Sequence, residues 1–228
     1  KKKKKEVILG MVWWFIFVVM IAICFGVGKS SMKWTPTARN ETIPMTEFSG
    51  ERAMKFLREF VGRFGVRHSS TKQTTESMEF IINEIMSSTK NSSSNIEIEW
   101  MITRHTVTYP GESSISVEKP LMTIRISDKK EGSETKLHSI VIDSHVDTAG
   151  FSPGATDDGT GVAVAVETAK NIIARERYPF RHSIIISMGT EEDSLEGGQA
   201  LIHQHPWRNT IRGFVNFEGS GDGMGLPY

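Results

Sequence analysis

Ser139-Ile140-Val141-Ile142-Asp143-Ser144-His145-Val146-Asp147, followed by Gly154-Ala155-Thr156-Asp157-Asp158-Gly159-Thr160-Gly161, is the stretch that decides the fold. Its β-branched apolar run reads as a buried strand, and the run ends directly on a histidine and two aspartates. The glycine-rich turn that follows opens a Val- and Ala-rich segment at helical spacing, Gly161 to Ala174. Strand, polar turn and helix in that order form the unit of an open α/β sheet, whose ligands bind beyond the carboxyl ends of the strands.

The same grammar recurs outward. Ile184-Ile185-Ile186 runs through Gly189-Thr190 into Glu191-Glu192-Asp193 and a helical segment, Ser194 to His203, and Gly213 to Phe217 ends on Glu218. Further strands are expected at Ile96, Ile98 and Trp100, which alternate, and at Leu121 to Ile126 and His138 to Ile142. Ala53, Phe56, Leu57, Phe60 and Val61 share one helical face, as do Phe80, Ile81, Ile85 and Met86. The polar tract Ser87 to Ser94 reads as a loop, and the segments Tyr109 to Pro120 and Asp128 to Thr135 read as exposed turns, one of them closing a hairpin. Together these predict an α/β fold with a mixed, mainly parallel central sheet and helices on both faces.

The chemistry gathers at the strand ends. Asp147 lies two residues past His145, so in extended chain the two share a face, and a carboxylate there can fix the imidazole tautomer. A surface turn is the alternative for this pair taken alone. Helix capping accounts for one of Asp157 and Asp158, but two adjacent carboxylates in a glycine-rich turn repel each other unless a cation or water compensates them. Capping is again the alternative for Glu191-Glu192, and plain solvation for Glu218. A set made of His and carboxylates without thiols suits Zn²⁺.

In these residues the sequence resembles the zinc exopeptidase family that includes bacterial leucyl aminopeptidases, aminopeptidase Y and glutamate carboxypeptidase II. The shared pattern is His-X-Asp, Gly-Ala-X-Asp-Asp-Gly-X-Gly, Glu-Glu and Asn-X-Glu, in that order. Phe48-Ser49-Gly50-Glu51-Arg52-Ala53 and Gln204-His205-Pro206-Trp207 look most like the endoplasmic reticulum metallopeptidases, and the likeness runs from Phe48 to Glu218. The resemblance implies peptide substrates and two zinc ions per complete site. His145, Asp157 and Glu218 would hold one, with Asp157 bridging to a second held by Glu192. Glu191 would be the general base, and Asp147 would orient His145. His203 and His205 fall outside the pattern and are assigned to surface and packing. The family's last histidine ligand has no counterpart before Tyr228, so the expectation is a domain incomplete at its C-terminus, with a partial second zinc site. A silent binding module on the same fold, or a glutaminyl cyclase-like acyl transferase, are the alternatives to a peptidase.

Lys+Arg and Asp+Glu balance at 27 each in 228 residues, so the composition points to no nucleic acid partner. Lys1 to Lys5 precede an uncharged run, Val7 to Gly28, long enough as a helix to span the roughly 30 Å hydrocarbon core. A core helix or a cleaved signal peptide are the other readings, but the run exceeds the usual ~7–15 apolar residues of a signal, which favours an uncleaved anchor in membrane lipid. The chain then divides into a cytosolic basic segment (1–6), a transmembrane anchor (7–28), a juxtamembrane linker (29–45) and an α/β domain (46–228). By the positive-inside rule the lysines stay cytosolic, giving a single-pass protein of the endoplasmic reticulum membrane with a lumenal catalytic domain. The sequons at Asn40 and Asn91 lie on the lumenal side and are candidate glycosylation sites. The only cysteine, Cys24, falls within the span, which excludes a disulfide, a cysteine zinc site or a cysteine nucleophile in the domain.

Overall fold

The computed structural model describes residues 2–31, 37–91, 95–109, 115–130, 134–190, 192 and 195–219. The chain separates into two units, one containing the N-terminal helix and the other covering Ala38–Gly221. The helix α1 (Lys2–Ser31) holds the apolar stretch Gly10–Ser30, of mean hydropathy 2.5, with none of it buried. By length and composition it can cross a membrane.

The domain is built on five strands: β1 (Ile96–Tyr109), β2 (Ile115–Asp128), β3 (Ser139–His145), β4 (Ser183–Gly189) and β5 (Ile211–Asn216). Their order across the sheet is β1-β2-β4-β3-β5. β3 runs parallel to both β4 and β5, whereas β2 is antiparallel to β4 and to β1, so among the described strands β2 alone opposes the rest. The sheet is mixed, as the alternation of strands and helices predicts, with two parallel and two antiparallel pairings where the sequence reading expects a mainly parallel sheet.

Period-two alternation sends neighbouring side chains to opposite faces. Ile184, Ile186 and Met188 of β4, with Met122, Ile124 and Ile126 of β2, meet the helices α2 (Gly50–Phe64), α3 (Lys72–Ser87) and α4 (Gly159–Ile173). Val141, Ile185 and Leu121 point the other way, onto Ala200 and Leu201 of α5 (Glu196–His203) and onto Trp207. Both faces are therefore covered. Ser49 and Thr71 cap α2 and α3 by accepting from the N–H groups of Arg52 and Thr74.

Two regions depart from the sequence reading. β1 and β2 form an arm that runs past the end of β4, since β4 pairs with β2 only from Met122 to Ile126. Residues 115–120, read as turn, are therefore strand, and Pro120 is tolerated because no third strand needs its missing N–H. Lys119 adjoins it and forms a buried ion pair of 3.0 Å with Glu196. The polar tract after α3 forms a short 3-10 turn, Ser88–Asn91. The second departure is the segment read as linker. Arg52 donates to the carbonyls of Glu41, Ile43 and Glu47, and Asn171 donates to that of Met45, so residues 41–47 are fastened to α2 and α4. Asn40 is exposed there, with its side-chain oxygen accepting from Thr42 N–H at 2.8 Å, whereas Ser92 and Ser93 of the second sequon lie outside the described residues.

Candidate metal centre

Parallel register brings the three acidic loops to one edge. His145 pairs with Gly189 and Asp143 with Asn216, so the chain leaving β4 toward Glu192 and the chain leaving β5 toward Glu218 emerge on either side of His145. The turn before α4 brings Asp157 from below. This is the crevice at the carboxyl ends of adjoining strands where α/β sheets bind ligands.

His145 is 3% exposed, and its two ring nitrogens face different groups. Nε2 lies 3.2 Å from Asp157 Oδ1 and 3.2 Å from Glu218 Oε1. Nδ1 lies 3.3 Å from Asp147 Oδ1 and 3.1 Å from the Asp147 carbonyl. Asp147 is buried, while the side chains of Asp157 and Glu218 are about half exposed at 45% and 49%. Donor atoms of His145, Asp157 and Glu192 lie within 4.8 Å of one another. The Glu192 N–H reaches the second Asp147 oxygen at 3.3 Å, so this one carboxylate faces both a histidine and the loop of a second acidic residue.

Burial pulls the His145 imidazole toward the neutral form, but Asp147, Asp158 and Glu218 outweigh it and raise the pKa to about 10. Without a cation the ring keeps its proton. A cation in front of Nε2 would take over the charge compensation, and binding would release that proton. Donors bound at 2.0–2.2 Å in tetrahedral geometry stand about 3.4 Å apart, so the two 3.2 Å separations at Nε2 fit zinc with little rearrangement.

Asp157 and Asp158 have different tasks, and the peptide bond joining them is cis. Asp158 turns inward as the N-cap of α4, accepting from Gly161 N–H at 3.1 Å, from the Ser144 hydroxyl at 2.5 Å and from His145 N–H at 3.3 Å. Burial pushes its carboxyl up to about 7, with Ser144 and His145 holding it lower than burial alone would. Asp157 is left facing the imidazole. Gly154 makes the turn possible. Its φ is +59°, and a Cβ there would lie 2.4 Å from Thr148 Cγ2 and 2.7 Å from the Asp157 carbonyl oxygen.

His145, Asp147, Asp157, Glu192 and Glu218 are thus brought together, whereas Glu191 lies outside the described residues. His205 is elsewhere, on the α5 face. Its Nδ1 accepts from Trp207 N–H at 3.1 Å, so Nε2 carries the proton and donates to Thr123 Oγ1 at 2.9 Å. His203 is exposed at the end of α5. The sequence reading missed Arg67, Ser144 and Thr148, which brace the site from behind. Arg67 carries no local signal, because the carbonyls that place it at the site, those of Val146 and Pro153, are far away in the chain.

Residues 126–227 match the model of Peptidase family M28. The chain is 27% identical over 183 residues to the mouse protein named endoplasmic reticulum metallopeptidase 1, a match covering 78% of this chain and 20% of that protein. Among solved structures, the LapA aminopeptidase of Legionella pneumophila superimposes with a TM-score of 0.59 at 19% identity, covering 78% of this chain and 43% of that one. A glutaminyl cyclase from an Acidobacteriales bacterium superimposes with a TM-score of 0.55 at 20% identity, covering 80% and 62%. These structures share the fold. The chain spans a quarter or less of the length of the curated relatives it matches here.

Proposed function

We propose that this chain, whose residues 126–227 match the model of Peptidase family M28, is the membrane-anchored part of a zinc-dependent exopeptidase. The enzyme is aminopeptidase-like and removes residues from peptides in the endoplasmic reticulum lumen. The observation that carries the reading is the imidazole of His145, which is buried with two carboxylates at 3.2 Å from one nitrogen and a third carboxylate behind the other. A purely structural histidine needs one partner per nitrogen, not a ring of acids open to solvent on one side.

In this reading His145, Asp157 and Glu218 would hold one zinc, and Asp157 with Glu192 would hold the second. Zinc bound there would polarise a peptide carbonyl and lower the pKa of water. The residues of the chain then divide the remaining work. Glu191 takes the proton from the attacking water and passes it to the departing amine. Asp147 keeps the His145 tautomer with Nε2 facing the carboxylates and holds the Glu192 loop through a main-chain N–H. Asp158 fixes the turn that presents Asp157.

In this reading α1 is the membrane anchor, with Lys1 to Lys5 on the cytosolic side and Asn40 and Asn91 as candidate glycosylation sites on the other. The names of the relatives motivate the endoplasmic reticulum as the compartment.

Zinc content of the full chain, compared with that of His145→Ala, tests the centre, and loss of zinc in the variant is the expected result. Equal zinc in both proteins sinks the assignment. Hydrolysis of peptides by the longest natural form of the protein, with and without Glu191→Gln, tests the activity. Turnover that survives this substitution removes Glu191 from its role. Because the glutaminyl cyclases share the fold, the same preparations should be offered a peptide with N-terminal glutamine, and cyclisation without hydrolysis would select the acyl-transfer alternative.

A further inference from the structure

Arg67 lies in the connection between α2 and α3 and is 0% exposed. Arginine is among the residues least often fully buried, so its presence there calls for partners. Nε donates to the Val146 carbonyl at 2.6 Å, and Nη1 donates to the carbonyls of Gly65 at 2.6 Å and Pro153 at 3.0 Å. Nη2 lies 3.1 Å from where a Cβ on Gly154 would stand. The main chain adds a second bracket, since Arg67 N–H donates to Thr148 Oγ1 and Thr148 N–H donates to the Arg67 carbonyl, both at 3.0 Å. The guanidinium is 4.5 Å from the centroid of the Phe60 ring on α2.

Val146 lies between His145 and Asp147, and Pro153 lies at the start of the turn that ends on Asp157. One rigid planar fork therefore grips both ligand-bearing loops from beneath. Lysine could not do this, because it offers a point charge and not donors fixed in one plane. Burial lowers the guanidinium to about 10 and Asp147 pulls the other way, so the group stays cationic at neutral pH beneath the acidic centre.

We propose that Arg67 is a positioning residue of the metal centre: it ties the loop carrying His145 and Asp147 to the loop carrying Asp157 at the spacing that metal binding needs. The inference rests on the metal reading above. It adds a residue outside the sequence pattern and predicts a dependence on bidentate geometry, not on charge alone.

Full chain in detergent micelles, carrying Arg67→Met or Arg67→Lys, tests it by two readouts. The first is hydrogen–deuterium exchange over residues 146–158, with residues 72–87 of α3 as reference. The second is zinc affinity by chelator competition. Faster exchange over 146–158 with α3 unchanged is expected in both variants. Zinc affinity is expected to fall roughly 10- to 100-fold in Arg67→Met, and Arg67→Lys is expected to recover little of it. Met78→Ala, a core substitution on α3, controls for general destabilisation. Unchanged exchange over 146–158, or a fall in zinc affinity no larger than that of Met78→Ala, overturns the positioning role. If the unsubstituted chain takes up no zinc, the metal reading fails, and the exchange readout alone decides whether Arg67 ties the loops.

Discussion

Asp158 and Ser144 share a 2.5 Å hydrogen bond that joins the start of α4 to the end of β3. The same carboxylate caps the helix and accepts the N–H of His145, so the strand that carries the histidine and the turn that carries Asp157 are held by one side chain. Asp158→Ala removes the cap, worth about 1 kcal/mol, and leaves two buried donors without an acceptor at about 1–3 kcal/mol each. The expected loss is roughly 3–7 kcal/mol, read as a lowered melting midpoint or urea midpoint. Ser144→Ala should cost less, because it removes a donor and leaves the carboxylate two other bonds. An unmoved midpoint for Asp158→Ala would show that the bond network contributes nothing net.

Two ion pairs on the same domain should behave in opposite ways. Glu167 is buried beside Arg52 at 2.7 Å, and also accepts from Ser49 N–H and from Asn171. Glu167→Ala leaves Arg52 without its carboxylate and frees the segment that Arg52 and Asn171 fasten, so a cost of about 3–5 kcal/mol is expected. Lys72 and Glu76 sit 2.7 Å apart on the exposed face of α3. Lys72→Ala should leave the unfolding midpoint where it was, because solvent screens that pair. Urea unfolding of the two variants side by side checks both halves of the prediction.

The contrast between these pairs also explains what the sequence discloses. β3, β4 and the turn before α4 are legible because their apolar runs and glycines act locally, and the strand-end acids stand beside them in the chain. Which of Asp157 and Asp158 turns inward is not local. It depends on Ser144 and His145 lying where α4 begins, a relation made only by packing. The segment 41–47 has the Pro and Thr content of a linker, yet it is held by Arg52 and Asn171, whose reach to it is a tertiary fact. β2 before Leu121 was hidden for a similar reason. Glu118-Lys119-Pro120 looks like a turn until Lys119 finds Glu196 at the start of α5. Arg67 is the extreme case, since its acceptors are peptide carbonyls, which no residue type advertises.

His205 makes stability depend on pH. It is 2% exposed, and burial, with Arg125 nearby, lowers its pKa from 6.5 to about 4. The unfolded chain therefore binds a proton between pH 6.5 and 4 that the folded chain refuses. Its contribution to stability is full above the unfolded value and falls as the pH drops toward 4, by on the order of 3 kcal/mol over the window. Protonation also forces a donor onto Nδ1, which now accepts from Trp207 N–H. His105, lowered by burial, adds to the same slope. Asp158, raised to about 7 by burial, binds a proton in the folded chain over the same window and slopes the other way, so the His205 loss is read as the difference between the unsubstituted chain and His205→Gln, each melted at pH 7 and pH 4.5. An equal slope in the variant would assign the pH dependence to other groups.

Asp147 offers the sharpest test of the centre, because it faces His145 Nδ1 with one oxygen and the Glu192 N–H with the other. Asp147→Asn keeps the size of the side chain but removes the charge that favours the tautomer needed for metal binding. Zinc affinity should fall roughly 10- to 100-fold while the metal-free fold persists. His145, proposed as a direct ligand, should behave differently, with His145→Ala losing zinc outright. Melting in the presence of zinc separates the two. A ligand at one hundred times its dissociation constant stabilises a protein by about 2.7 kcal/mol, so the unsubstituted chain should gain several degrees. Asp147→Asn should require more zinc for the same gain, and His145→Ala should gain nothing at any concentration. A zinc-dependent rise that persists in His145→Ala would place the ion elsewhere on the chain and remove the imidazole from the site.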